Sequence, residues 1–259
     1  MTISTLLRFR TLALCILCLV FLLSVPAMAQ PFGGWVLFEG YPTDHGYISV
    51  PHHPLLNFNG TGFTFEAWVS MDNTGDSCCH SIAGKNFINN WWVGTVWVGS
   101  NQVLRSILAG VDMQAGVIPN STWTHIAVTY DGTRRIHYIN GEKVGERVET
   151  LAAGGGYSDM RFGSDVSWLY TPHGSLNEMR LWNIARTQAQ IRASLNQQML
   201  NPLPGLLGAW SMSGTNAVAP YHGTIQGTGV YGWTFPVTLL GCNGSSSTTG
   251  LCLHNRFWV

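Results

Sequence analysis

Apolar and polar residues alternate in segment after segment, and this most limits what the chain can become. Over Phe63–Met71, the residues Phe63, Phe65, Ala67, Val69 and Met71 fall on one side and Thr64, Glu66, Trp68 and Ser70 on the other. A period of two is the signature of a strand, because successive strand side chains point to opposite faces. Residues 123–130 repeat it, with Ile126, Val128 and Tyr130 in phase. Asp131-Gly132 then reads as a turn and residues 134–139 as the returning strand. Asn140-Gly141 follows, and this pair suits a two-residue hairpin turn that needs positive φ at both positions. Residues 143–148 make the next strand.

Further strands are expected at 34–38, 47–50, 81–85, 91–98, 103–108, 160–163, 175–182 and 206–211. Many short strands separated by turn residues define a sandwich or a barrel. One segment departs from the pattern. Thr187 and Gln190 have the spacing of a capping box, and Ile191 and Leu195 supply an apolar stripe behind it. A short helix is therefore expected over 187–196, stopped by Pro202 and Pro204. Past residue 213 the periodic signal fades into a Gly/Thr-rich stretch and a Gly/Ser/Thr loop.

The first 29 residues carry a different pattern. Arg8 and Arg10 precede an apolar run from residue 11 to 25, and Ala27-Met28-Ala29 follows with small residues. That is the layout of a secretory signal cleaved before Gln30, and Pro26 argues against a membrane anchor. The exported part is then about 230 residues, enough for one large β-domain. Only 10% of residues are charged and the formal net charge is zero. With no basic stripe, nucleic acid is excluded as a partner. No segment beyond the leader could span a membrane. Removing the leader leaves Cys78, Cys79, Cys242 and Cys252. An even number in an exported chain favours disulfides. Cys242 and Cys252 could close a short loop, Cys78 and Cys79 could join as neighbours, or the two pairs could cross.

Five stretches in fixed order together resemble the laminin-G-like, concanavalin A-type superfamily, in its bacterial, pentraxin-related branch. They are Tyr47-Ile48-Ser49-Val50 with Leu55-Leu56-Asn57; Phe63-Thr64-Phe65-Glu66-Ala67-Trp68-Val69; the hairpin from Trp123 to Gly141; Gly174 to Asn183 with Ala185-Arg186-Thr187 and Ile191; and Gly205 to Trp210. The resemblance implies a two-sheet antiparallel jelly-roll β-sandwich over 30–213, with a single short helix late in the chain. Residues 214–259 are expected to form an extension. Cys242 and Leu251-Cys252-Leu253-His254-Asn255-Arg256-Phe257 resemble the start of a second, truncated β-module.

Glycosidases of this superfamily carry two carboxylates about 5–9 Å apart, often on one strand. Glu66 stands alone on its strand, and Asp131 and Glu142 sit at hairpin ends, so no catalytic residue is assigned. The resemblance also implies a structural calcium at the positions of Gly40, Asp44, Asn177 and Glu178, although Asn177 stands where the family has Asp. Calcium needs six to eight oxygen ligands. For ligand recognition the candidates are aromatic rings, on which sugars stack their apolar faces. Trp91, Trp92 and Trp97 cluster between amide residues, and Trp168 and Tyr170 lie in a loop. Trp91 and Trp92 point to opposite faces, so both cannot fill one core. The expectation is a secreted or surface-exposed, non-catalytic domain whose partner is a glycan or a cell-surface protein. An adhesive protein-binding module is the alternative, with a glycoside hydrolase behind it.

Overall fold

The computed structural model describes residues 35–40, 47–72, 79–164, 170–199 and 201–211, with the backbone of 224–226 and 230–232. The leader expected over 1–29 lies outside the described residues, as do Asp44, Cys78, Trp168, Cys242 and Cys252. No helix among the described residues is long and apolar enough to cross a membrane.

In chain order the strands are β1 (Val36–Glu39), β2 (Tyr47–Val50), β3 (Phe63–Met71), β4 (His80–Lys85), β5 (Trp91–Val98), β6 (Asn101–Leu108), β7 (Val111–Ile118), β8 (Thr124–Tyr130), β9 (Arg134–Ile139) and β10 (Glu142–Val148). They continue as β11 (Met160–Phe162), β12 (His173–Trp182), β13 (Leu206–Trp210), β14 (Thr224–Gln226) and β15 (Val230–Gly232). One sheet runs β10-β9-β8-β3-β12-β1-β15, with β13 also on β12. The other runs β14-β2-β11-β4-β5-β6-β7. The two antiparallel sheets form the expected jelly-roll sandwich.

The core lies between the inner faces. Phe63, Phe65, Val69, Ile126, Val128 and Leu176 of the first sheet belong to one cluster with Trp91, Val93, Leu104 and Leu108 of the second. The alternation of β3 is obeyed, yet its other face is also buried, at Thr64, Glu66 and Trp68. The cover is α1 (Gln188–Ser194) and the chain around it: Ile191 packs on Ala127 and Tyr138, and Trp68 Nε1 donates to Leu195 O at 2.8 Å. The capping box forms as expected, with Thr187 N donating to Gln190 Oε1 at 2.8 Å and Gln190 N to Thr187 Oγ1 at 3.3 Å.

Strand β7 was not expected. Val103 pairs with Val117 and Arg105 with Gln114, so one residue of β6 faces two of β7. This bulge, with Gly116 at φ +90°, reverses the alternation, and Met113 and Ile118 are both buried though of opposite parity. Strands β14 and β15 come from beyond residue 213 and pair with β2 and β1. The sandwich therefore draws on the stretch expected to be an extension.

Candidate functional site

The outer face of the seven-stranded sheet carries an aromatic cluster beside a polar row. Trp92 turns outward from β5 and its indole lies along the sheet above two glycines. A Cβ on Gly94 would fall 2.4 Å from the Trp92 Cη2, and one on Gly84 2.9 Å from its Cδ1. Trp92 Nε1 donates to Ser81 Oγ at 2.9 Å. Phe87 meets the ring edge-on at 5.9 Å, and Arg105 Cζ lies 5.8 Å from its centroid. Cys79 and Ile107 complete the cluster, with Val96 and Tyr170 half-buried against it.

The register of β5, β6 and β7 puts Gly94, Arg105 and Gln114 in one row, and Trp92, Ile107 and Asp112 in the next. Arg105 Nε donates to Asp112 Oδ1 at 2.8 Å, and Gln114 Nε2 to Asp112 Oδ2 at 3.1 Å. Arg105 Nη1 also donates to Cys79 Sγ at 3.3 Å. Burial works against the charge on Arg105, but Asp112 and Cys79 outweigh it and its pKa rises above the ordinary value. The guanidinium is thus fixed in place, with Gln114 exposed and Asp112 partly so. Fixed planar donors and acceptors beside aromatic rings can receive a ligand that has both hydroxyls and apolar faces.

Sequence reasoning brought some of these residues together and misplaced others. Trp92 and Tyr170 share the outer-face cluster. Trp91 is wholly buried in the main core, with Nε1 donating to Leu56 O at 2.9 Å, so it offers nothing to a ligand. Trp92 is only 1% exposed. Opposite faces therefore did not leave one ring open, because the outer face has its own cover. Trp97 is half-buried, in phase with Trp91 rather than Trp92, and its Nε1 has no hydrogen-bond partner among the described residues. Arg105, Asp112 and Gln114 were missed. The signal available was their two-residue spacing on neighbouring strands, hidden at β7 by the bulge.

The described residues implied for calcium, Gly40, Asn177 and Glu178, do not converge. β1 and β12 pair Val36 with Leu176 and Glu39 with His173. Gly40 therefore sits about five residues, or about 17 Å, along the sheet from the position opposite Asn177. Gly40 lies under the His173 ring instead. Asn177 Oδ1 accepts from Glu178 N at 2.8 Å, and Glu178 Oε2 lies 3.3 Å from Arg180 Nη2. No group of three or more His, Cys, Asp or Glu suited to a metal occurs among the described residues. The described members of the set do not form a cation cage.

Glu66 lies beneath the helix segment, not in a cleft. It is wholly buried, and its Oε1 lies 2.5 Å from Arg186 Nη1. Arg186 also donates to Gln190 O at 2.9 Å and stacks 4.3 Å from the Trp182 ring. His125 Nε2 is 3.6 Å from Glu66 Oε2, yet burial, with Arg180 and Arg186 nearby, pushes its pKa well below the usual value. The neutral imidazole leaves Arg186 as the counter-charge of Glu66. Asp131 closes its turn by accepting from Thr133 N and Arg134 N, and Glu142 pairs with Arg192.

Ser106 Oγ and His137 Nε2, 2.7 Å apart, have the spacing of a nucleophile and base. Both are sealed between the sheets. His137 Nδ1 faces Ala115 O at 3.2 Å, which fixes its proton on Nδ1 and makes Nε2 an acceptor. Burial lowers the His137 pKa to about 4, with Ala115 O opposing the shift and Arg135 adding to it. The pair is a buried polar tie rather than a reactive site.

Residues 42–192 match the sequence profile described as the concanavalin A-like lectin/glucanases superfamily. The chain belongs to that superfamily. A curated relative, mouse (Mus musculus) pappalysin-1, is 32% identical over 104 residues, 38% of this chain. The match spans 6% of pappalysin-1. Among solved structures, a protein from Bacteroides ovatus provisionally described as carbohydrate-binding superposes with a TM-score of 0.60 at 22% identity. That superposition covers 79% of this chain and 60% of the other. The heptameric SAP-like pentraxin of Limulus polyphemus superposes with a TM-score of 0.54 at 14% identity, over 76% of this chain and 96% of the other. At these identities the likeness is one of fold.

Proposed function

We propose that the chain is an exported, non-catalytic recognition domain that binds carbohydrate or a glycosylated surface through the outer face of its seven-stranded sheet. The observation that carries this is the Arg105–Asp112–Gln114 row beside the Trp92–Tyr170 cluster. The ion pair holds the polar groups in a fixed pattern, so little side-chain entropy is lost when a sugar hydroxyl meets them. Gln114 and Asp112 supply amide and carboxylate contacts, and Tyr170 the accessible edge of the aromatic cluster. The relative described as carbohydrate-binding and the superfamily's lectins support the reading by analogy. Glu66, the one carboxylate on β3, has a structural ion pair instead of a second carboxylate opposite it.

A glycan array probed with the purified protein tests the proposal. Binding to a defined glycan set, weakened by Gln114→Ala at unchanged melting temperature, is the expected result. An array without signal overturns it. Repeating the array with calcium and with a chelator separates the two modes of recognition. Binding kept in chelator assigns it to protein groups alone, and binding lost in chelator assigns it to a cation bridge.

A further inference from the structure

A second feature stands at one rim of the sandwich, where the 51–62, 86–90 and 152–159 connections meet. Tyr157 is 90% exposed, more than any other large hydrophobic residue described. A tyrosine following three glycines would ordinarily be a loose tip. Here Gly154 N donates to Phe58 O at 2.8 Å and Gly155 N to Asn89 O at 3.0 Å. Gly155 O accepts from Asn86 Nδ2 at 2.9 Å and Asn90 Nδ2 at 3.1 Å. The approach requires glycine: a Cβ on Gly154 would fall 2.7 Å from Asn90 Cα, and one on Gly156 2.1 Å from Asn86 Nδ2.

The chain is tied equally well after the tyrosine. Lys85 Nζ donates to Ser158 O, and Asp159 accepts from Ser49 Oγ at 2.8 Å and His52 N at 2.9 Å. Tyr157 is therefore held in solvent by bonds on both sides of it. The backbone that carries the ring is thus pre-organised, since the ordering entropy of the loop is already spent on folding.

The ring is one wall of a notch. The His52 ring stands 5.4 Å away at 61°. Lys85 Nζ lies 2.8 Å behind it, on Nδ1. An ammonium only donates, so Nδ1 accepts and the His52 proton sits on Nε2, as a donor. Lys85 is wholly buried behind the ring, and Asp159 is its neighbouring counter-charge. What the rim shows to solvent is a phenol, an imidazole, the Asn89 amide and the Asp159 carboxylate, with Leu55 and Ile88 half in water beside them. Apolar surface beside hydrogen-bonding groups, one of them a carboxylate, suits a ligand with apolar faces and hydroxyls rather than an anion.

We infer that the Tyr157–His52 notch is a carbohydrate subsite, stacking the apolar face of a neutral pyranose on Tyr157 and hydrogen-bonding its hydroxyls through His52. The inference rests on the carbohydrate reading above but uses a different part of the molecule. The test is affinity electrophoresis of the purified protein in gels containing a β-glucan, a xylan, a mannan or starch. Wild type, Tyr157→Phe, Tyr157→Ala and Gln114→Ala are compared, with a thermal melt of each. At least one polysaccharide retards wild type and Tyr157→Phe, and Tyr157→Ala binds it about tenfold more weakly with an unchanged melt. Retardation of Tyr157→Ala equal to wild type overturns the subsite while the sheet-face reading stands. Loss of binding together with a lowered melt makes Tyr157 structural and also overturns it. No retardation of wild type in any gel overturns both readings.

Discussion

Substituting Glu66 separates a structural carboxylate from a functional one. The Glu66–Arg186 pair is 2.5 Å long, with both side chains almost wholly out of water. Removing one member of such a pair costs about 3–5 kcal/mol, because the remaining charge loses its partner without regaining water. In Glu66→Gln, Arg186 keeps the Gln190 carbonyl and the Trp182 face. The loss should therefore fall at the lower end, about 3 kcal/mol. For a domain of this size that is a fall in melting temperature of about 6–12 °C. Replacing both members, as Glu66→Met with Arg186→Met, should recover most of the loss, since no charge is left buried. Calorimetric melts of wild type, both single variants and the double variant measure it. A fall below 2 °C for Glu66→Gln, or a double variant as unstable as the sum of the singles, refutes the reasoning. Loss of ligand binding in Glu66→Gln at an unchanged melt would return the carboxylate to the functional site.

Other consequences follow from the buried groups. The His137 pKa lies near 4 in the folded chain against an ordinary value of 6.5. The unfolded state binds the extra proton, so stability is full above pH 6.5 and falls as the pH drops toward 4. Urea titrations at pH 7.5 and pH 5 should differ by at least about 2 kcal/mol, less in His137→Asn, and a flat profile contradicts the buried neutral imidazole. Gly94→Ala should lose about 1–3 kcal/mol, because its Cβ meets His80 O at 2.2 Å and the Trp92 ring. Gly99→Ala, with open space around it, serves as the control in the same melt, its cost limited to backbone strain at φ +63°. Thr187→Ala should lose about 1 kcal/mol by uncapping α1, and the melt shows it.

Much of the sandwich was legible because its strands are governed by local rules. The alternation in β3, the Asn140-Gly141 turn and the Thr187–Gln190 box each specify their own geometry within a few residues, and each forms. β7 was not legible, because a bulge at Gly116 resets the phase that identifies a strand. Burial of both faces was hidden for a similar reason. That Trp92 is covered by Tyr170, and Glu66 by Arg186, depends on contacts between segments distant in sequence. The separation of Gly40 from Asn177 follows from β-pairing register, which a motif carried over by resemblance does not contain. The rim held by Asn86, Asn90 and Lys85 was not legible, because its ties join positions 69, 65 and 73 residues apart.

The central claim is that the Arg105–Asp112–Gln114 row receives a glycan. Isothermal titration of the best array ligand into wild type, Gln114→Ala and Asp112→Asn tests it most directly, with a melt of each variant as control. The account predicts at least about tenfold weaker binding in both variants, with Gln114→Ala melting as wild type does. Unchanged affinity in both variants would contradict it.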